Sequence, residues 1–283
     1  MNVRFVSSVF VAVTASGCML LESFPDVATA DASAIGADSG AFDPSALRGL
    51  ALWLDGSNGV VTTVAGVFRW TDRANGNSAV QLERTLQPSL RAGALNGHAV
   101  VHFAGNDQFL LVPDSGALQF GTADFTVMLV VSWSNVPNAR DHNAGYGALF
   151  VKVSPVSPFP GPALFANDIY LQDGSVRAQV DANSSTNSDV TTLNDGKFHV
   201  VGMRRSRGVL SVRADGMSSS INVNASFDVS VPGSGVYIGA RDPRDHANQS
   251  LLGDIAEVVA IAGVVTEDQL GRLEAYFKSK YAL

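Results

Sequence analysis

Seven Asp-Gly or Asn-Gly pairs punctuate the chain after residue 50, at Asp55, Asn58, Asn75, Asn96, Asp173, Asp195 and Asp215. These dipeptides tolerate the positive φ values of tight hairpin turns, so their recurrence points to a chain that folds back on itself in antiparallel strands. The residues between them agree. In the run from Val209 to Asp215, Leu210, Val212 and Ala214 alternate with Ser211 and Arg213, and Ile221 and Val223 then alternate with Ser220, Asn222 and Asn224. That is the period of a strand with one buried face. Strands are expected at 50–54, 67–70, 79–82, 99–103, 109–112, 125–133, 148–153, 163–171, 176–180, 198–203, 209–214, 220–224, 236–240 and 254–261, a spacing that fits an all-β sandwich or jelly roll. Residues 125–133 and 255–261 are almost continuously apolar, as central strands covered on both faces would be. One helix closes the chain. Thr266-Glu-Asp-Gln269 reads as a capping box, and Leu270, Leu273 and Phe277 fall on one face with Tyr276 beside them, which predicts a lid over one end of the sandwich.

The chain has 283 residues, 46% hydrophobic and 16% charged, enough to bury a full core in one domain. Asp outnumbers Glu by 21 to 5, as suits turns rather than helices. The formal net charge of -7 opposes a phosphate backbone and argues against a nucleic-acid partner. The sole cysteine, Cys18, rules out an internal disulfide and a cysteine-cluster metal site. Its setting is informative: a cationic start ending at Arg4, an apolar run from Phe5 to Val13, then Ala15-Ser-Gly-Cys18, similar to a bacterial lipobox whose thiol is lipidated. An alternative places an A-x-A cleavage site at Ala28-Thr-Ala30, with release after Ala30. Both imply export. The expected organisation is a signal peptide at 1–17, an Ala/Asp/Ser-rich tether at 18–41 too polar to bury a core, and one domain at 42–283.

Several motifs resemble a known family. The Asp195-Gly-Lys-Phe-His199 strand opener, the Val212-Arg-Ala-Asp-Gly216 hairpin, Tyr237-Ile-Gly239 and Gly253-Asp-Ile-Ala-Glu-Val258 resemble the second half of a laminin G-like domain of the concanavalin A-like lectin/glucanase superfamily. Phe42-Asp-Pro-Ser-Ala-Leu, Leu52-Trp-Leu-Asp-Gly56, Phe68-Arg-Trp-Thr-Asp72 and the run from Leu95 to Leu110 agree with its first half. The resemblance implies a two-sheet antiparallel sandwich, a structural role for His199, and core positions for Trp53 and Trp70. It also implies calcium at a rim, with Asp107 and Asp254 foremost, Asp55 next, and Asn106 as a further oxygen donor. It does not imply one activity, because lectins, glycosidases, lyases and adhesion modules share the fold. Turn Asp and Asn also hydrogen-bond their own backbone, the plainer explanation for each.

Catalytic signatures are sparse. Glycosidases need two carboxylates about 5–10 Å apart, and within the β region the only Glu residues are Glu83 and Glu257. Asp254 and Glu257, three apart, are expected on opposite faces of a regular strand. No G-x-S-x-G, H-E-x-x-H or Walker A motif occurs, and the five histidines show no metal-ligand spacing. Two polar segments stand out instead. One carries Arg140, Asp141 and His142 followed by Tyr146; the other carries Arg244, Asp245 and His246. Each packs donors and acceptors into three residues, the mix that sugar hydroxyls require, and Tyr146 offers an aromatic face. Local ion pairing in solvated loops is the alternative. Residues 153–162, with four prolines and Phe159, form a stiff exposed loop.

The sequence thus reads as a non-catalytic domain of an exported, lipid-anchored protein at the outer membrane or cell surface. Without the anchor it is periplasmic or secreted. Its partner is a polysaccharide or an envelope protein. A polysaccharide lyase or hydrolase, and a structural envelope protein with no sugar ligand, stay open as alternatives.

Overall fold

The computed structural model describes residues 42–134, 147–167, 174–241 and 249–283. Cys18, the signal and tether segments, and the two Arg-Asp-His segments with Tyr146 lie outside the described residues. Two antiparallel sheets face each other. Sheet I runs in the order β15 (Met217–Asn222), β14 (Val209–Ala214), β13 (His199–Ser206), β8 (Phe125–Trp133), β17 (Leu252–Ala262), β6 (His98–Ala104) and β5 (Ser89–Leu95), with β1 (Leu50–Asp55) also paired to β17. Sheet II runs β12 (Ser184–Asn187), β11 (Val176–Asp181), β10 (Ala163–Ala166), β9 (Gly147–Val151), β16 (Val236–Ile238), β7 (Leu110–Val112), β4 (Ala79–Val80), β3 (Val67–Trp70) and β2 (Val60–Thr62).

The expected alternation sets which face is buried. Leu210, Val212 and Ala214 of β14 point into the core between the sheets, with Phe103, Leu129, Phe150, Leu164 and Ile238. Strand β8 is buried at all nine positions because both of its faces are covered. Its inward side meets sheet II. Its outward side, through Met128 and Val130, meets the closing helix α1 (Glu267–Tyr281). Thr266 and Gln269 form the capping box read from the sequence. The helix is not a lid over one end: it lies on the outer face of sheet I. Leu270, Leu273 and Phe277 bury themselves against Trp53, Val100, Val130 and Val259, each contributing about 1.5–3 kcal/mol of burial.

A bulge in β17 changes another expectation. The register shifts between Ile255 and Glu257, so that Asp254 pairs with Ser132 and Glu257 with Val130. The extra residue cancels the alternation over three positions, and Asp254 and Glu257 share the outer face of sheet I instead of pointing to opposite sides. Among the described residues, two cations are sealed inside. Arg205, 2% exposed, donates to the carbonyls of Gly121, Ala123 and Phe227 and lies 5.3 Å over the ring of Phe125. Lys152, fully buried, donates to Asp114 and to the carbonyls of Val231 and Ser234. Both fasten irregular segments to the sandwich by satisfying carbonyls that no strand pairs.

Candidate functional site

One end of the sandwich gathers the roots of both Arg-Asp-His segments. Segment 135–146 leaves β8 after Ser134 and re-enters at Gly147; segment 242–248 leaves after Arg241 and returns at Gln249. The Ser134 N–H donates to the Leu252 carbonyl at 3.3 Å, the Gly239 N–H to Ala148 at 3.0 Å and the Leu251 N–H to Gly239 at 2.7 Å, and Ala240 bridges Ser250. Residues a hundred positions apart in sequence therefore start from neighbouring backbone. The described flanks of segment 168–173 start from the same rim, because Gly147 pairs with Ala166 and Ala166 with Val176.

The described part of this rim is held by side chains as well as backbone. Trp133, 1% exposed, donates its indole N–H to Asn167 Oδ1 at 3.0 Å, and Asn167 occupies a left-handed conformation, φ 65°. Asp107, φ 63°, and Ser250 bond reciprocally: the Asp107 N–H donates to Ser250 Oγ at 3.1 Å, and that hydroxyl donates to Asp107 Oδ1 at 3.0 Å. Gly239 is needed where it stands. Its φ is 92°, and a Cβ there would fall 2.1 Å from the ring of Phe103.

His199 marks the neighbouring corner. Its Nδ1 lies 2.7 Å from Asp215 Oδ2 and its Nε2 3.1 Å from Asp195 Oδ1, while the Trp133 ring meets it edge-on at 6.0 Å. The hydrogen bond to Asp215 raises the imidazole pKa, with burial opposing it and Asp195 assisting. Asp195 is pushed down to about 2, chiefly by the Lys197 N–H. Burial works against Asp215, yet the His199 and Val200 bonds still bring its carboxyl below the usual range. The structural role implied for His199 agrees with this geometry: it ties the start of β13 to the Asp215 turn.

The predicted calcium ligands do not converge. Asp55 Oδ2 accepts from Arg73 at 3.0 Å and Lys280 at 2.9 Å, and its Oδ1 from the Ser57 N–H. Asp254 is engaged by His102 Nδ1 at 2.9 Å, by Arg91 at 3.3 Å and by Ser132. A hard cation competes poorly for carboxylates already neutralised by ammonium and guanidinium groups. Asp107 accepts from Ser250 through Oδ1, and among the described residues nothing engages its Oδ2. Among the described residues, no group of three or more His, Cys, Asp or Glu side chains is placed to hold a metal ion.

The polar cluster beneath α1 left no mark in the sequence pattern. Glu257, fully buried, is the cross-strand partner of Asp55. Its Oε1 accepts from the Trp53 indole at 2.6 Å and the Tyr276 hydroxyl at 3.0 Å; its Oε2 accepts from the Tyr281 hydroxyl and from Lys280, each at 2.7 Å. Arg73 stacks 3.7 Å above the Trp53 ring. Burial and the Glu257 charge raise both tyrosine pKa values far above normal. These two carboxylates are adjacent, as a glycosidase pair would be, but the helix covers them and Lys280 joins them. The cluster pins α1 to sheet I.

With much of sheet I covered in this way, the outer face of sheet II continues the rim. Gln179, Ala163, Val151, Tyr237, Leu111 and Val80 succeed one another across its strands. Tyr237 lies 5.5 Å from Phe109, and the Arg241 guanidinium sits 5.8 Å over Phe159 of the proline-rich loop.

This architecture is a concanavalin A-like β-sandwich, two antiparallel sheets with one C-terminal helix. Its second half, residues 164–260, matches the Laminin G domain family. No curated protein sequence matches the chain. Similar solved structures include the binding domain of Paraclostridial Mosquitocidal Protein 1 (TM-score 0.53, 10% identity, covering 81% of this chain and 52% of that one). Trypanosoma rangeli sialidase in complex with the inhibitor DANA is similar too (TM-score 0.55, 16% identity, 81% of this chain and 33% of that one). A third is botulinum neurotoxin type C, whose cell entry depends on two ganglioside molecules (TM-score 0.51, 10% identity, 79% of this chain and 50% of that one). The chain thus spans about a third to a half of the length of these structures, and the likeness is one of fold.

Proposed function

We propose that this domain is a non-catalytic binding module for glycan, or for a glycan-bearing surface protein, at the cell envelope. The carrying observation is the shared rim: hydrogen bonds between Ser134 and Leu252 and between Gly239 and Ala148 bring the roots of both Arg-Asp-His segments to one end of the sandwich. On this reading Arg140, Asp141, His142 and Tyr146, together with Arg244, Asp245 and His246, supply the charged donors and acceptors and the aromatic side chain for a sugar. Two further features support binding over bond cleavage. The adjacent pair Asp55 and Glu257 is held by Lys280 under the helix, and Asp254 is occupied by His102 and Arg91. If calcium takes part, Asp107 is its ligand, since Asp55 and Asp254 already face cations. Export and lipid anchoring at Cys18 complete the reading.

A glycan-array screen of the protein, run with calcium and again with chelator, tests the binding role. A selective signal is expected, reduced strongly in an Arg140→Ala/Arg244→Ala double variant; flat arrays in both conditions, or cleavage products from the retained glycan, contradict it. For the anchor, Cys18→Ala is expected to move the protein from the membrane to the soluble fraction, and unchanged fractionation contradicts lipidation.

A further inference from the structure

A trough of about 520 Å³ lies on the outer face of sheet I, at the end of β8 away from the loop rim. Its floor follows from register. Arg204, Ser211 and Ser220 succeed one another across β13, β14 and β15, with Ser206 and Val209 in the row on one side and Ser218 in the row on the other. Ser211, Ser218 and Ser220 leave a depression where larger residues would fill the face. The segment from Val264 to Glu267 rises as one wall, fastened by Arg204, which donates to the Glu267 carboxylate and to the Val265 carbonyl.

Three features of the trough point to the same ligand chemistry. Ser218 and Ser220 are exposed hydroxyls, free to exchange hydrogen bonds with a polyol. Val264, 63% exposed, offers an apolar surface beside them, of the kind that meets the C–H face of a sugar ring. Arg207 sits at the β13–β14 turn with φ 51°. Its N–H donates to Asp124 Oδ1 at 2.9 Å, but its guanidinium pairs with no described side chain. Asp124 and Glu267 are the nearby carboxylates, and they are engaged by Ser206 and Arg204 respectively. Arg207 thus remains a planar, always-charged fork with its bidentate capacity unspent. The volume falls within the range of about 300–1,000 Å³ that ligand sites occupy.

We propose that this trough is a second saccharide site, selective for an acidic polysaccharide, in which Arg207 takes a uronate carboxylate while Ser211, Ser218 and Ser220 take ring hydroxyls. It is separate from the rim site and does not depend on it. The test is calorimetric titration of the full chain with a galacturonic acid trimer and with its methyl ester. The acid is expected to bind and the ester to bind at least tenfold more weakly. Arg207→Asn, which keeps a residue tolerant of positive φ, is expected to weaken the acid at least tenfold. Ser220→Tyr, which fills the floor at an exposed strand position, is expected to abolish binding while sparing any glycan signal that Arg140→Ala/Arg244→Ala removes, so the two readings fail separately. Equal affinity for acid and ester, wild-type affinity in both variants, or no binding of the acid overturns the proposal.

Discussion

Glu257 shows how one residue can be settled by partners the sequence keeps far away. Lys280 reaches both Glu257 and Asp55, the latter from 225 positions along the chain. Glu257→Ala leaves Lys280 and two tyrosine hydroxyls short of their acceptor, and a loss of about 3 kcal/mol or more is expected in urea denaturation. Burial and the Glu257 charge hold the pKa values of Tyr276 and Tyr281 far above normal, so an alkaline absorbance titration should show both silent until the protein unfolds. His199 provides a pH test. Its pKa is raised, so its contribution is full below about pH 6.5 and fades as pH rises through the folded value. Asp195 and Asp215 are lowered, so theirs is full above about pH 4 and fades toward the value of about 2 at Asp195. The stability difference between wild type and His199→Gln, about 1 kcal/mol for such a partly exposed pair, should therefore peak near pH 5 and shrink by pH 9. A difference that grows with pH contradicts the assignment.

At the scale of elements, Thr266→Ala removes a cap that accepts from Gln269 N–H and should cost about 1 kcal/mol, read as a lower melting temperature. Deleting 267–283 uncovers Trp53, Val130 and Val259, and the truncated protein is expected to self-associate in light scattering. The strands legible in the sequence were those with one face in the core, such as β14, or with both faces covered, such as β8. Three that the alternation did not reveal, β2, β5 and β12, are edges of their sheets, and Ser184–Asn187 is wholly polar, so no apolar period marks it. The helix was legible from its cap, but not the surface it covers, since an amphipathic face names no partner. Nor was the β17 bulge visible, because it inserts a residue without changing composition, and it overturned the opposite-face argument for Asp254 and Glu257.

For the whole molecule, topology converts separated sequence signals into a shared position. The two Arg-Asp-His segments resembled each other in sequence, but only the hydrogen bonds from Ser134 to Leu252, from Gly239 to Ala148 and from Leu251 to Gly239 make them neighbours at their roots. The same topology divides the surface: α1 covers much of sheet I, while the outer face of sheet II and the loop rim face away from the helix. A hydrogen-exchange footprint of the protein with its strongest array glycan tests this most directly. Slowed exchange is expected at the rim, in 134–147 and 241–250 with the adjoining turn at 105–109. A footprint confined to the α1 face, or none at the rim, contradicts it.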